Sequence, residues 1–545
     1  LTNFDNAFDK ETTTKIDCSK VKATYLTSPM GNGFENMTDF VFPANLANIS
    51  TSKGVLSGCK KLANITFPTA YCDISHPESF LANSTFVNGL ELPYTLNFTP
   101  MVSVDKQTGV EEIKQNEILK GCHVVGNLNI KAATTNKCVV YVNKETTSLV
   151  IYPATVQGRF YLMGKGIEGD LSRLQSIQIG RSTNINDTDG FASNTSANIN
   201  LSLDFQSGNC TTKIPKNAFN GYSGNTINVI IYGNVTDSNG ITLESGSFCN
   251  MPNMTKLPMT NSTSLKVIPE NCMNNLASLT SATTGYVVDV GGCNDMPNLT
   301  TLRIESSCEK VNGFNNCPKL KSLSFMSDGK VKEIGGLNNN AITTFYIPNT
   351  ALSVSGVNNC SALTTVVIGA SLTSFTGFNN CPKLNKFTVD SSNTTFKVID
   401  NNLYQGSKLC RTPMNKSDIV IASGTTEIMA NAIQVAFANS ISIPNDCILA
   451  NGSIKCQSVG QIIFHTSFNT ETGKYNNLTM TDFSTLDNVQ VGTIFTYGNG
   501  ITDTTNANCL PVVKYCIEHN INYVDMNETN TNARGAIGIS GNAEL

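Results

Sequence analysis

The side chains best suited to chemistry in this sequence are its 18 cysteines and four histidines, His76, His123, His465 and His519. A metal site or a nucleophilic pair needs several such groups at set spacings, because ligands must converge on one ion and a base must reach its nucleophile. No HExxH, GxSxG, Walker loop or CxxC pair occurs, and no two histidines lie at metal-binding spacing. His123 directly follows Cys122 inside a repeated motif, where a solitary surface histidine is the expected role. The stretch "NINDTDGF" at 184–191 sets Asp187, Asp189 and Gly190 in the order of a calcium loop. Ile185, however, stands where an oxygen ligand is needed, and the closing Glu is missing, so a polar turn is expected there. The residues therefore point to no enzyme, no metal and no cofactor.

What holds the cysteines in place is a repeat. The octet "GFNNCPKL" at 313–320 returns letter for letter at 377–384. Sliding the chain past itself extends it to C-x-x-L-x-x-L-x-(apolar), anchored on Leu299, Leu320, Ile342, Leu363 and Leu384 at spacings of 21, 22, 21 and 21. The same phase appears with irregular spacing at Leu62, Val125, Leu174 and Met254. A second half-motif precedes many of these, as in "VNGF" from Val311, "EIGGL" from Glu333, "VSGV" from Val354 and "SFTGF" ending at Phe378. The end of L-x-x-L-x-L alternates with period two, as a short strand must. One such coil cannot bury its own apolar edge. Stacked coils pool their inward residues into a continuous core and join their strands into a parallel sheet. Gly allows the corner and the Asn pair satisfies backbone groups in the turn.

The arrangement (A/G)-F-x-x-C-x-x-L-x-x-(I/L)-x-(I/L)-P resembles the leucine-rich repeats of the BspA-like, or Treponema-pallidum-type, family, and "VLSGCKKLANITFP" at 55–68 matches it nearly position for position. "TTFKVIDNNLYQGSKLCRTP" at 394–413 is similar to that family's β-hairpin insertion, and "VVYVNKETTSLVIYP" at 139–153 looks like a second one. "IFTYGNG" followed by "CLPVVKYCIEHNINYV" resembles its last unit of strand, short helix and strand. The resemblance implies a leucine-rich-repeat solenoid of short parallel strands in a curved sheet, with little helix beyond one near the C-terminus. The Asn-rich flavour is similar to surface proteins of trichomonad-like protists. The expected organisation is an N-terminal segment or cap at 1–33, irregular repeats at 34–289, regular repeats at 290–390, C-terminal repeats with the hairpin and capping unit at 391–525, and a polar tail at 526–545.

Composition bounds the partners. Charged residues make up only 14% of the 545, and the net charge is −4. A nucleic-acid partner would need a concentrated basic surface, so none is expected. No apolar run is long enough for a transmembrane helix. The chain opens on Leu1, which reads as processed. Nineteen N-x-S/T sequons are present: Asn36, Asn48, Asn64, Asn83, Asn97, Asn186, Asn194, Asn200, Asn209, Asn234, Asn253, Asn261, Asn298, Asn359, Asn393, Asn415, Asn451, Asn477 and Asn527. With so many cysteines and no CxxC pair, they point to a glycosylated extracellular or cell-surface protein.

Two kinds of cysteine emerge. Cys59, Cys122, Cys317, Cys360 and Cys381 share the repeat's inward corner, a slot held elsewhere by Leu171, Met296 and Asn339, so Cys317, Cys360 and Cys381 are expected as buried thiols that merely fill space. Cysteines off that phase are the disulfide candidates: Cys447 with Cys456, Cys509 with Cys516, and Cys293 with Cys308. Function is left to surfaces. The outward strand positions Thr301, Arg303, Ser322, Ser324, Thr344, Tyr346, Thr365, Val367, Lys386 and Thr388 form a stripe. If the sheet lines a concave face, as the resemblance implies, that stripe binds an extracellular protein or glycan. The absence of Trp argues against a lectin. An open solenoid also ends on unpaired strands, so the leading expectation is self-association through its ends or tail into a coat or filament, with adhesion as the alternative.

Overall fold

The computed structural model describes residues 5–100, 117–153, 158–206, 210–444, 446–499 and 501–527, with backbone alone at 103–104 and 111–112. The described chain is a parallel β-solenoid of about 19 turns with almost no helix. It falls into two compact units, Leu1–Leu299 and Thr300–Leu545.

In the second unit each regular coil contains a two-residue strand, a corner and a longer strand. Lys310–Val311, Glu333–Ile334, Ser353–Val354 and Ser374–Phe375 run parallel and in register, with Lys310 beside Glu333, Glu333 beside Ser353 and Ser353 beside Ser374. On the next face Thr301–Ile304 pairs with Ser322–Phe325, and Thr344–Tyr346 with Thr365–Ile368 and then Lys386–Val389. The inward residues Leu302, Phe345, Val366 and Phe387 are buried. Phe375 and Phe378 stack at 4.6 Å between ring centroids, and Phe345 meets Phe378 edge-on at 5.8 Å.

The corner explains the Asn pair. Asn316, Asn339, Asn359 and Asn380 lie in the left-handed region at φ 55–58°, a conformation Asn tolerates better than other residues with a Cβ. Gly336, at φ 59°, is required for a second reason: a Cβ there would lie 1.8 Å from Asn312 O. The preceding Asn of each pair crosslinks coils, with Asn358 N donating to Asn338 Oδ1 at 2.8 Å and Asn379 N to Asn358 Oδ1 at 2.9 Å.

The hairpin at 394–413 forms as expected, with antiparallel strands Phe396–Ile399, Asn402–Gln405 and Lys408–Arg411. Its second counterpart does not. Cys138–Val142 and Thr146–Ile151 never pair with each other. The first runs parallel to Glu117–Ile118 and Phe160–Gly169, the second to Gly126–Ile130 and Ser176–Ile179. The turn between them, closed by Thr146 N on Asn143 O, moves the chain from one face of the coil to the next instead of reversing it. Within the N-terminal segment, Lys15–Asp17 pairs in parallel with Asp39–Val41.

In the first unit the strands Leu90–Leu92, Gly126–Ile130, Thr146–Ile151, Ser176–Ile179, Asn198–Asp204 and Ile227–Tyr232 make a six-stranded parallel sheet. The C-terminal unit of strand, helix and strand is present as Gln490–Thr496, Pro511–Glu518 and Asn522–Asp525, the two strands parallel. Pro511 stands at the first helical position, where its missing N–H costs no bond, and Val512, Val513 and Cys516 pack inward.

Candidate functional site

The stripe of the second unit stands where the alternation put it. Thr301 and Arg303 lie beside Ser322 and Ser324, Thr344 beside Thr365 and Thr365 beside Lys386, and Tyr346 beside Val367 and Val367 beside Thr388. Arg303, Ser322, Ser324, Tyr346 and Lys386 are exposed, Tyr346 at 61%, and Thr301, Thr344, Thr365, Val367 and Thr388 are half-buried. The stripe holds little unspent polarity at one end. Arg303 Nε pairs with Glu305 at 2.9 Å and its Nη2 reaches Met326 Sδ at 3.0 Å. It stops at Lys386–Val389 because the hairpin tip closes over the next position, Asn401 Oδ1 accepting from Phe387 N at 3.3 Å.

The cysteine slot is more than filler. Cys59 Sγ donates to Gly31 O at 3.1 Å and Cys122 Sγ to Leu81 O at 3.0 Å, each on the preceding coil. Ser84 in the same slot donates to Leu56 O at 2.6 Å. In the Ile342 coil the slot belongs to Asn340, which is buried, while Asn339 is exposed beside it. That coil has one residue fewer between corner and strand, which shifts the register read from the spacing. The slot thus favours a small donor able to satisfy a buried carbonyl.

Cys317, Cys360 and Cys381 are buried. The Cys360 and Cys381 thiols interact across adjacent coils, which lowers Cys381 and raises Cys360, and the Arg411 guanidinium adds to the lowering of Cys381. Arg411 is itself only 4% exposed. Its Nη2 donates to Asn379 Oδ1 at 3.1 Å and to Gly377 O, while Nε and Nη1 have no hydrogen-bond partner among the described residues.

Cys447, Cys456, Cys509 and Cys516 stand as free thiols in this structure. Cys447 leads into Ile448–Leu449 and Cys456 follows Ile454–Lys455, two strands that belong to different sheets of the coil. Cys509 precedes the helix and Cys516 lies within its last turn, and at ~1.5 Å per residue the helix holds them beyond disulfide reach. Cys293 and Cys308 are each buried, and Cys308 Sγ donates to Lys310 O at 3.3 Å.

The remaining candidates are dispersed. Asp187 and Asp189 carry lysine partners, Lys137 and Lys216, each at 3.3 Å. Among the described residues no group of three or more His, Cys, Asp or Glu side chains gathers into a metal site. His123 faces Glu145 at 3.3 Å, and His465 Nε2 and Ser442 Oγ share a hydrogen bond at 2.6 Å. No described helix is long and apolar enough to cross a membrane.

Among the sequons, Asn64, Asn83, Asn194, Asn234, Asn253, Asn261, Asn359, Asn415, Asn451 and Asn477 are exposed, and Asn36, Asn48, Asn186, Asn200, Asn298, Asn393 and Asn527 are half-buried. Asn97 is buried with its amide on Asp73 Oδ1 at 2.7 Å. Asn209 and the tail beyond Asn527 lie outside the described residues.

A cleft of the first unit escaped the sequence reading. It is lined by Glu91, Tyr94, Asn129, Lys131, Val150, Tyr152 and Gln178. These residues come from coils whose spacing is broken by insertions, so the period that exposed the second-unit stripe gave no signal here.

The sequence matches the model of the BspA type leucine rich repeat region in six copies, over residues 4–86 and 292–411. No curated protein matches it. Among solved structures it is similar to a leucine-rich repeat protein from Eubacterium ventriosum, at 14% identity over 40% of this chain and 75% of that one, with a TM-score of 0.28. A leucine rich cell surface protein from Faecalibacterium prausnitzii shares 15% identity over 64% of this chain and 93% of that one, at 0.28. The pneumococcal vaccine antigen PcpA shares 12% over 61% and 89%, at 0.23. Residues 4–86 and 292–411 of this chain thus carry repeats of the BspA leucine-rich type, set among parallel coils.

Proposed function

We propose that this chain is a non-enzymatic, N-glycosylated protein of the cell surface or extracellular space that self-associates through the ends of its coils into a coat or filament. One observation carries the reading. Asn522–Asp525 is the last strand of its five-stranded sheet among the described residues, bonded to Gln490–Thr496 on one side only. A strand edge of this kind is a template for another chain. Sedimentation velocity over a dilution series tests it. Wild-type protein is expected to grow in size with concentration, and an Asn522→Lys/Val524→Lys variant with an unchanged circular dichroism spectrum is expected to stay small. A wild-type chain that remains monomeric at ~100 μM, well above a useful assembly affinity, would sink the idea.

A second reading is adhesion through the strand stripe. The in-register rows and the protruding Tyr346 favour it, since an exposed aromatic amid Thr and Ser is the natural anchor of a small hot spot. Beads coated with wild-type protein would then bind bacterial or animal cells and lose that binding with Tyr346→Ala.

A further inference from the structure

The cleft of the first unit differs from an ordinary solvated sheet face. Its floor is a row of outward side chains brought together by register: Glu91 beside Asn129, Asn129 beside Val150, Val150 beside Gln178. Three of the four present amide or carboxylate groups. The walls are tyrosines. Tyr94 and Tyr152 are 52% and 43% exposed, too much for core residues of this size. Tyr152 is seated on glycine. A Cβ at Gly180 would lie 2.3, 2.7 and 2.8 Å from Tyr152 Cδ2, Cγ and Cε2, so the ring rests against bare backbone and turns its other face outward. Lys131 Nζ holds Glu91 Oε1 at 2.8 Å, which orients the carboxylate and leaves the cleft without net charge. The cleft is open to solvent and offers a volume of about 560 Å³.

We infer that this cleft binds a neutral oligosaccharide, with the outer face of Tyr152 and the ring of Tyr94 stacking on sugar rings, and Glu91, Asn129 and Gln178 bonding their hydroxyls. Three points favour sugar over a protein partner. The floor carries one apolar residue, Val150, so the apolar lining comes chiefly from the tyrosine rings and the carbon chains of polar residues, which suit the face of a sugar better than the aliphatic anchor of a protein. Carboxylate and amide groups in a row match the vicinal hydroxyls of a pyranose, each donating and accepting. The coils bearing Tyr94 and Tyr152 are two strand spacings apart, about 10 Å, roughly the span of two linked sugar rings. Tyrosine supplies the amphipathic platform that tryptophan would provide elsewhere.

The experiment is isothermal titration of the full chain, after enzymatic removal of N-glycans, with cellohexaose, chitohexaose and maltohexaose in turn, and with heparin hexasaccharide as the charged counterpart. At least one neutral hexasaccharide is expected to bind with Kd of ~1 mM or tighter, and Tyr152→Ala to weaken it at least about tenfold. Tyr152→Phe is expected to keep the binding. Gly180→Ala, which keeps every residue that lines the cleft but displaces the Tyr152 ring, is expected to weaken it. Thermal melting of each variant separates loss of binding from loss of fold. The proposal is overturned by the absence of binding to all three neutral probes, by binding of heparin alone, or by neutral-sugar binding that Tyr152→Ala leaves unchanged.

Discussion

Asn380 donates its side-chain amide to Asn359 Oδ1 at 3.0 Å, one coil back, and both residues sit at φ near +55°. One residue type therefore serves the corner twice, accepting a left-handed backbone and tying coil to coil. Replacing Asn359 by Ala adds a strained Cβ and deletes the acceptor, so it is expected to lower stability by about 2 kcal/mol. Asn359→Gly removes only the crosslink and is expected to cost about half as much. Urea unfolding followed by circular dichroism measures both, and equal losses would refute the conformational role.

The thiols are expected to be slow. Burial pushes Cys72, Cys122 and Cys516 up to about 12 and Cys456 up to about 11, while alkylation requires the thiolate. Native protein treated with iodoacetamide at pH 8 is expected to label little, with Cys456, the least buried of the 18, reacting first. After denaturation without reductant, intact mass counts the thiols, and 18 labels would exclude every disulfide. A count of 12 would restore the three disulfides expected from sequence proximity.

Acid is expected to weaken the C-terminal coils. Burial lowers His465 below its ordinary value of 6.5. The unfolded chain then binds a proton that the folded chain resists, so stability is full above about pH 6.5 and falls as pH drops towards the lower folded value. The melting temperature should drop between pH 7 and pH 5, and His465→Gln should flatten that slope. A slope unchanged by the substitution would assign the acid sensitivity elsewhere.

Glycan occupancy is expected to follow the amide bonds. Asn186 gives its amide to Cys210 O and Thr212 Oγ1, Asn393 to Gly369 O and Leu372 O, and Asn527 to Tyr475 O and Gly498 O. An attached sugar would displace one bond of each pair. Peptide mapping after glycosidase treatment is expected to show these three and Asn97 bare, and exposed Asn234, Asn261 and Asn477 among the occupied sites. Full occupancy at Asn393 would contradict the fold at that corner.

Arg411 tests a buried charge. With Nε and Nη1 unpartnered, it contributes desolvation cost along with its two bonds, so Arg411→Met is expected to change stability by less than about 1 kcal/mol or to raise it. Asn379→Ala strips the guanidinium of a partner and is expected to cost about 3 kcal/mol. Thermal unfolding of the two variants decides, and a large loss with Arg411→Met would show that the guanidinium holds the hairpin to the repeats.

The repeat period, the parallel strands, the hairpin at 394–413 and the outward stripe were all legible in the sequence, because a coil that buries one edge must repeat its apolar positions. Spacing alone failed where it had to stand in for contacts. Asn339 and Asn340 differ by one position, and only the three-dimensional corner decided which enters the core. Cys509 and Cys516 are near in sequence yet held apart by a helix. Thr146–Ile151 carries the letters of a hairpin strand, but its partners are Gly126–Ile130 and Ser176–Ile179, chosen by the stacking of whole coils. The cleft between Tyr94 and Tyr152 was invisible for the same reason. The sequence by itself determined the coil, since that follows from local periodicity; only the tertiary structure decided which side chains from different coils stand next to one another, because that depends on register between segments far apart in the chain.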